Sequence, residues 1–137
     1  MESRILIVDD EPLVLEMFET VLRDSGYVTS SAPSAAKAKD LILSENFDLI
    51  IVDVWLEDED GFMLAQYAKK IQNKIGVVVI TGRPSEKGEA LAFENGFEYL
   101  SKPVPFGDLI VAVEKNLNKG EKIQAKVLER DSHSISK

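Results

Sequence analysis

Apolar runs of four to six residues alternate along this chain with stretches whose apolar residues recur at helical spacing. That alternation restricts the fold more than any other feature. A short continuous run of Ile, Val and Leu is how a strand buried on both faces reads, and parallel strands need a crossover helix between them. Five such βα units are legible, with strands at about 4 to 9, 27 to 31, 48 to 53, 76 to 80 and 97 to 101. The expected class is α/β, a doubly wound five-stranded parallel sheet.

The intervening segments supply the helices. The first begins with Pro12 in its opening turn, stops at Gly26, and sets Val14, Met17, Phe18, Val21 and Leu22 on one face. The second, about 34 to 44, aligns Ala35, Ala38, Leu41 and Ile42. The third, about 61 to 72, turns Phe62, Leu64, Ala65 and Ala68 inward. The fourth, about 85 to 95, contains Gly88 and offers few large apolar residues besides Leu91 and Phe93, which makes it a marginal helix and a candidate mobile element. The fifth, from Pro105, carries Leu109, Val113 and Leu117.

Composition narrows the function. A chain of 137 residues with 45% hydrophobic content supports one core, so residues 1–118 are read as one domain and 119–137 as a helical extension or linker ending in a disordered polar tail. There is no cysteine, which removes disulfides and thiolate chemistry. A net charge of -8 opposes direct nucleic-acid binding, which needs Lys and Arg against phosphate. No apolar run approaches membrane-spanning length, and the opening Met1-Glu2-Ser3-Arg4 lacks the architecture of a secretion signal, so a cytoplasmic location is expected.

Two of the apolar runs end abruptly in acids: Asp9 and Asp10 after Ile5-Leu6-Ile7-Val8, and Asp53 after Leu49-Ile50-Ile51-Val52. If these strands are neighbours, the three carboxylates meet at the edge where open α/β sheets bind ligands. Unit charges about 5 Å apart at an effective dielectric of about 20 repel by roughly 3 kcal/mol per pair, so the cluster calls for a cation. Hard oxygen donors without Cys or His select magnesium or a similar ion. The fourth strand ends in Thr81-Gly82 and the fifth in Lys102-Pro103, which adds a hydroxyl and an ammonium to the same edge. Taken singly these residues have ordinary roles: Asp10 could cap the first helix, Thr81-Gly82 could be a plain turn, and Tyr99 could be half-buried strand packing. Only their joint arrangement points to a site.

With those residues in order, the chain resembles the receiver domains of bacterial two-component response regulators over about residues 3 to 118. The carrying segments are Ile5 to Pro12, Asp53 to Gly61, Thr81-Gly82 and Tyr99-Leu100-Ser101-Lys102-Pro103. The resemblance implies a flavodoxin-like (βα)5 fold with strand order 2-1-3-4-5. It implies that Asp53 is the phosphoacceptor, that Asp9, Asp10, Asp53 and the backbone carbonyl of Trp55 hold Mg2+, and that Thr81 and Lys102 contact the phosphoryl oxygens. Thr81 and Tyr99 then form the switch, Trp55 and Arg83 set the lifetime of the phosphate, and Lys102-Pro103 is expected to be cis. Glu57 stands where the family commonly has proline, so the loop Glu57-Asp58-Glu59-Asp60 is expected to be more acidic and less restrained than usual.

The sole histidine, His133, lies in the polar tail, so the phosphohistidine donor must be a partner: a sensor histidine kinase or a histidine phosphotransfer protein. Phosphorylation is expected to act through the face of the fourth helix, fifth strand and fifth helix on a downstream effector domain or protein. The alternative is a Mg2+-dependent, aspartate-nucleophile phosphohydrolase of small phosphate esters. Such enzymes often carry a general acid two residues after the nucleophile, where this chain has Trp55. A degenerate, unphosphorylated scaffold is opposed by the full set of acids, Thr81 and Lys102. Past Gly120, Ile123, Val127 and Leu128 continue a helical stripe, from which a frayed extension and a weak homodimer are expected.

Overall fold

A computed structural model describes residues 2–117. Its strands are β1 (Arg4–Val8), β2 (Val28–Ala32), β3 (Leu49–Asp53), β4 (Gly76–Thr81) and β5 (Glu98–Ser101). The helices are α1 (Pro12–Asp24), α2 (Ala35–Ser44), α3 (Gly61–Ile71), α4 (Glu86–Asn95) and α5, which covers 106–117. All five strands are parallel and lie in the order β2-β1-β3-β4-β5. The chain therefore leaves β1 in one direction for β2 and returns past it for β3, which makes the carboxyl ends of β1 and β3 the crevice of the sheet.

The central strands bury both faces, as their unbroken apolar runs require. Leu6, Val8, Ile50, Val52, Val77 and Val79 meet Ala38, Ile42, Leu64, Ala65 and Ala68 of α2 and α3 on one side. Ile5, Ile7, Leu49, Ile51, Val78 and Ile80 meet Leu15, Phe18 and Leu22 of α1 with Leu109 and Val113 of α5 on the other. The period of two along each strand sends alternate side chains to opposite layers.

One expectation about a helix face needs correction. In α1 the buried residues are Leu15, Phe18 and Leu22, whereas Met17 is 48% exposed. At 100° per residue the stripe through 15, 18 and 22 leaves Met17 well off the contact line, with Val14 and Val21 half-buried along its margins. In α4 only Ala92 is buried, and Phe93 is 85% exposed. The helix is nonetheless formed, held by Ser85 Oγ accepting from Gly88 N at 3.0 Å and by a left-handed Gly96 at its end. The extension beyond Gly120, the tail and the homodimer built on them lie outside the described residues. Among the described residues no helix is long and apolar enough to cross a membrane.

Candidate functional site

Strand register brings the sequence-predicted residues together. Val8 lies opposite Val52, so Asp9 and Asp53 emerge side by side; Asp53 lies opposite Ile80, and Thr81 opposite Ser101, which brings Thr81 and Lys102 to the same edge. Asp9, Asp53 and Thr81 are buried, while Asp10 is half-buried.

Lys102 Nζ sits between two carboxylates, 2.8 Å from Asp9 Oδ2 and 3.2 Å from Asp53 Oδ2, with Glu11 Oε1 at 3.8 Å. The remaining oxygens take backbone donors: Asp9 Oδ1 accepts from Glu11 N at 2.9 Å, and Asp53 Oδ1 from Trp55 N at 3.1 Å. Asp10 does not cap α1; Glu11 is the N-cap and makes no side-chain cap bond. Burial raises the Asp9 carboxyl above its usual value, partly offset by the bonds from Lys102 and Glu11. For Lys102 burial acts downward, but the bond to Asp9 and the charges of Asp9 and Asp53 outweigh it and the ammonium is raised. One cation thus faces several acids. Asp9, Asp10 and Asp53 each offer an oxygen within 4.8 Å of the others. An all-oxygen donor set with surplus negative charge fits a hard divalent ion.

Thr81 Oγ1 accepts from Arg83 N at 2.9 Å, which leaves its proton to donate elsewhere. Arg83 lies over the half-exposed Trp55 ring, 5.0 Å from its centroid, so the two residues assigned to phosphate lifetime stack on one another. Tyr99 packs its ring on Phe62 at 6.4 Å, and its hydroxyl accepts from Ser85 N at 3.2 Å. A cavity of about 530 Å³ lies among Val54, Phe62, Thr81, Leu91 and Tyr99, with Trp55 and Arg83 on its wall. The Lys102-Pro103 bond is cis.

Sequence reasoning missed three contributors. A Cβ on Gly61 would lie 2.0 Å from the Asp53 carbonyl oxygen, so α3 starts against the backbone of the acid itself. A Cβ on Gly88 would lie 2.8 Å from the Tyr99 hydroxyl, which explains the glycine in the first turn of α4. The third correction is to the loop after β3, which is acidic as expected but not unrestrained: Asp58 accepts from Ala35 N and Ala36 N, each at 3.0 Å, Glu59 pairs with Lys39 at 2.8 Å, and Asp60 caps Phe62 N at 2.7 Å. Carboxylates here replace proline as the restraint.

A sequence profile described as the response regulator receiver domain matches residues 5–114. The chain belongs to this family. It is 32% identical over 118 residues to the TorCAD operon transcriptional regulatory protein TorR of Escherichia coli K12, covering 85% of this chain and 50% of that protein. The chain thus spans about half the length of the curated relatives it matches. Among solved structures, the receiver domain protein (CheY-like) of Methanospirillum hungatei JF-1 has a TM-score of 0.84 at 30% identity, with 89% of this chain and 98% of that one covered. The Thermotoga maritima response regulator TrrA in complex with Mg(2+)-BeF has a TM-score of 0.74 at 28% identity, with 84% and 98% covered.

Proposed function

We propose that this receiver domain is a phosphorylation-controlled switch of a two-component phosphorelay, which accepts a phosphoryl group on Asp53 from the phosphohistidine of a sensor kinase or phosphotransfer protein. The observation that carries the reading is the Lys102 ammonium bridging Asp9 and Asp53 beside the half-buried Asp10. Such a site has a nucleophile, a cation for the transferred oxygens and an acid cluster suited to Mg2+. Mg2+, held by Asp9, Asp10, Asp53 and the carbonyl of Trp55, would neutralise negative charge around the transferring phosphoryl group.

In the transfer, an Asp53 carboxylate oxygen forms the new P–O bond while the P–N bond to the donor imidazole breaks and its electron pair leaves with the imidazole. Lys102 keeps its bond to Asp9 and follows the phosphoryl oxygens with the other side of the ammonium. Thr81, one residue beyond the register partner of Asp53, donates its hydroxyl proton to a second phosphoryl oxygen. Drawing Thr81 inward frees space for the Tyr99 ring, which gives up its bond to Ser85 N and alters the face of α4, β5 and α5 offered to an effector. Hydrolysis of the acyl phosphate resets the switch, with Trp55 and Arg83 limiting water. A phosphohydrolase would want an acid two residues after Asp53, and there the chain places Trp55 stacked beneath Arg83.

Beryllofluoride with magnesium, a mimic of the acyl phosphate, tests this. It should change the fluorescence of Trp55, the only tryptophan, and shift the amide resonances of Thr81, Ser85, Gly88 and Tyr99. No response, or an equal response from Asp53→Asn, would remove Asp53 from the role.

A further inference from the structure

We infer that Asp58 is a positioning residue for the metal site, acting by fastening the β3–α3 connection to the first turn of α2. This rests on the functional reading above, in which the carbonyl of Trp55 is a metal ligand. The connection starts at Asp53, and both its ends are held to neighbouring backbone. Trp55 N donates to Asp53 Oδ1, Trp55 bridges to Asp60, and Gly61 N donates to Val54 O at 2.8 Å. The middle of the connection has no such backbone hold. It is held by side chains: Leu56 packs against the core, and Asp58 and Glu59 reach α2.

Asp58 supplies the stronger of the two holds on α2. Its two oxygens each accept a first-turn amide of α2, Ala35 N and Ala36 N, and Ser34 Oγ takes the next, Lys37 N, at 3.2 Å. A carboxylate at this end of a helix also meets the positive end of its dipole. The two amide bonds hold the Asp58 carboxyl below its usual value, the direction expected of a charged acceptor. The second hold, Lys39 to Glu59, joins two partly exposed side chains, a kind of pair that contributes little. If Asp58 lets go, the connection loses its tie to α2, and the Trp55 carbonyl relies for its direction on the local contacts of Trp55 with Asp53 and Asp60. An ordinary helix cap would have no such consequence, because it would be local to α2; Asp58 lies 23 positions along the chain from Ala35. Coupling is also reciprocal, so an ion bound at the site steadies the amides of Ala35 and Ala36.

Magnesium titrations of the full chain, read by Trp55 fluorescence at constant ionic strength, test this with Asp58→Ala, Asp58→Asn and Ser34→Ala beside the parent. Thermal melting is measured in parallel. Ser34→Ala should lower the melting temperature and leave magnesium affinity unchanged, since it weakens the same helix end without touching the connection. Asp58→Ala should weaken magnesium by about tenfold, as loss of an outer support commonly does. Asp58→Asn, with one acceptor oxygen left, should fall between. Saturating magnesium should slow amide exchange at Ala35 and Ala36 in the parent and not in Asp58→Ala. Unchanged magnesium affinity in Asp58→Ala, or equal weakening in Ser34→Ala, overturns the positioning role while the functional reading stands. A parent protein that does not bind magnesium overturns both.

Discussion

Replacing Asp10 with Asn should stabilise the metal-free protein and remove most of the stabilisation that magnesium brings. Asp10, Asp9 and Asp53 hold oxygens within 4.8 Å of one another, and Lys102 bonds only the other two acids. At that separation and an effective dielectric of about 20, each charge pair repels by about 3.5 kcal/mol, so Asp10 carries about 7 kcal/mol of gross repulsion. The single charge on Lys102 offsets roughly one of those pairs, and the half-buried position of Asp10 admits further screening, which leaves about 1 to 2 kcal/mol. For a domain of this size that is a rise of about 3 to 8 °C in melting temperature. Melting is followed by circular dichroism with a chelator and again with saturating magnesium. A parent site filled at about a hundredfold excess over its dissociation constant gains about 2.7 kcal/mol, most of which the variant should forfeit, so the order of the two proteins reverses between conditions. A variant that is less stable with chelator, or that keeps the full magnesium gain, refutes the reasoning.

Gly61→Ala should cost about 3 kcal/mol, seen as a lower urea midpoint, because the added carbon meets the Asp53 carbonyl oxygen at 2.0 Å and neither backbone can yield; an unchanged midpoint contradicts the close approach. Trp55→Asn should speed loss of the acyl phosphate after the donor is removed at constant magnesium, since it strips the ring on which Arg83 lies; unchanged or slower loss would pass the shielding role to Arg83 alone. The bonds from Ala35 and Ala36 lower the Asp58 carboxyl from 3.8, so the unfolded chain takes up that proton first as acid is added. Its contribution is complete above that value and lost as pH falls through the lower folded one, and Asp58→Asn should flatten that limb of the stability curve.

The strand order followed only from the resemblance to receiver domains, whereas the central strands were legible because both faces of a parallel sheet are buried, which leaves unbroken apolar runs, and because polar residues interrupt those runs where the sheet opens. Asp9, Asp53, Thr81 and Lys102 stood out for that reason, and register turned their sequence positions into a cluster. Helix faces were less secure. In α1 the 100° step aligns Leu15 with Phe18 and Leu22 and turns Met17 away, a stripe that contact with the sheet and α5 then buries. The weakness of α4 was legible in its few large apolar residues, and in the structure Ala92 alone of α4 is buried while Phe93 is exposed. Asp58 was hidden for a different reason: a carboxylate capping a helix 23 positions away leaves no periodic trace, and its neighbours Glu57 and Glu59 look alike in sequence. Close approaches such as Gly61 to Asp53 are equally silent until the backbone is in place.

The central claim is that Asp53 is the nucleophile of a magnesium-dependent phosphoryl acceptor. Incubation with acetyl phosphate and magnesium, followed by intact mass and mapping of the modified peptide, tests it most directly. One phosphoryl group should appear, on Asp53 alone, and vanish with chelator or in Asp53→Asn. Equal labelling in Asp53→Asn, or a label mapped to Asp9, Asp10 or another carboxylate, would contradict it.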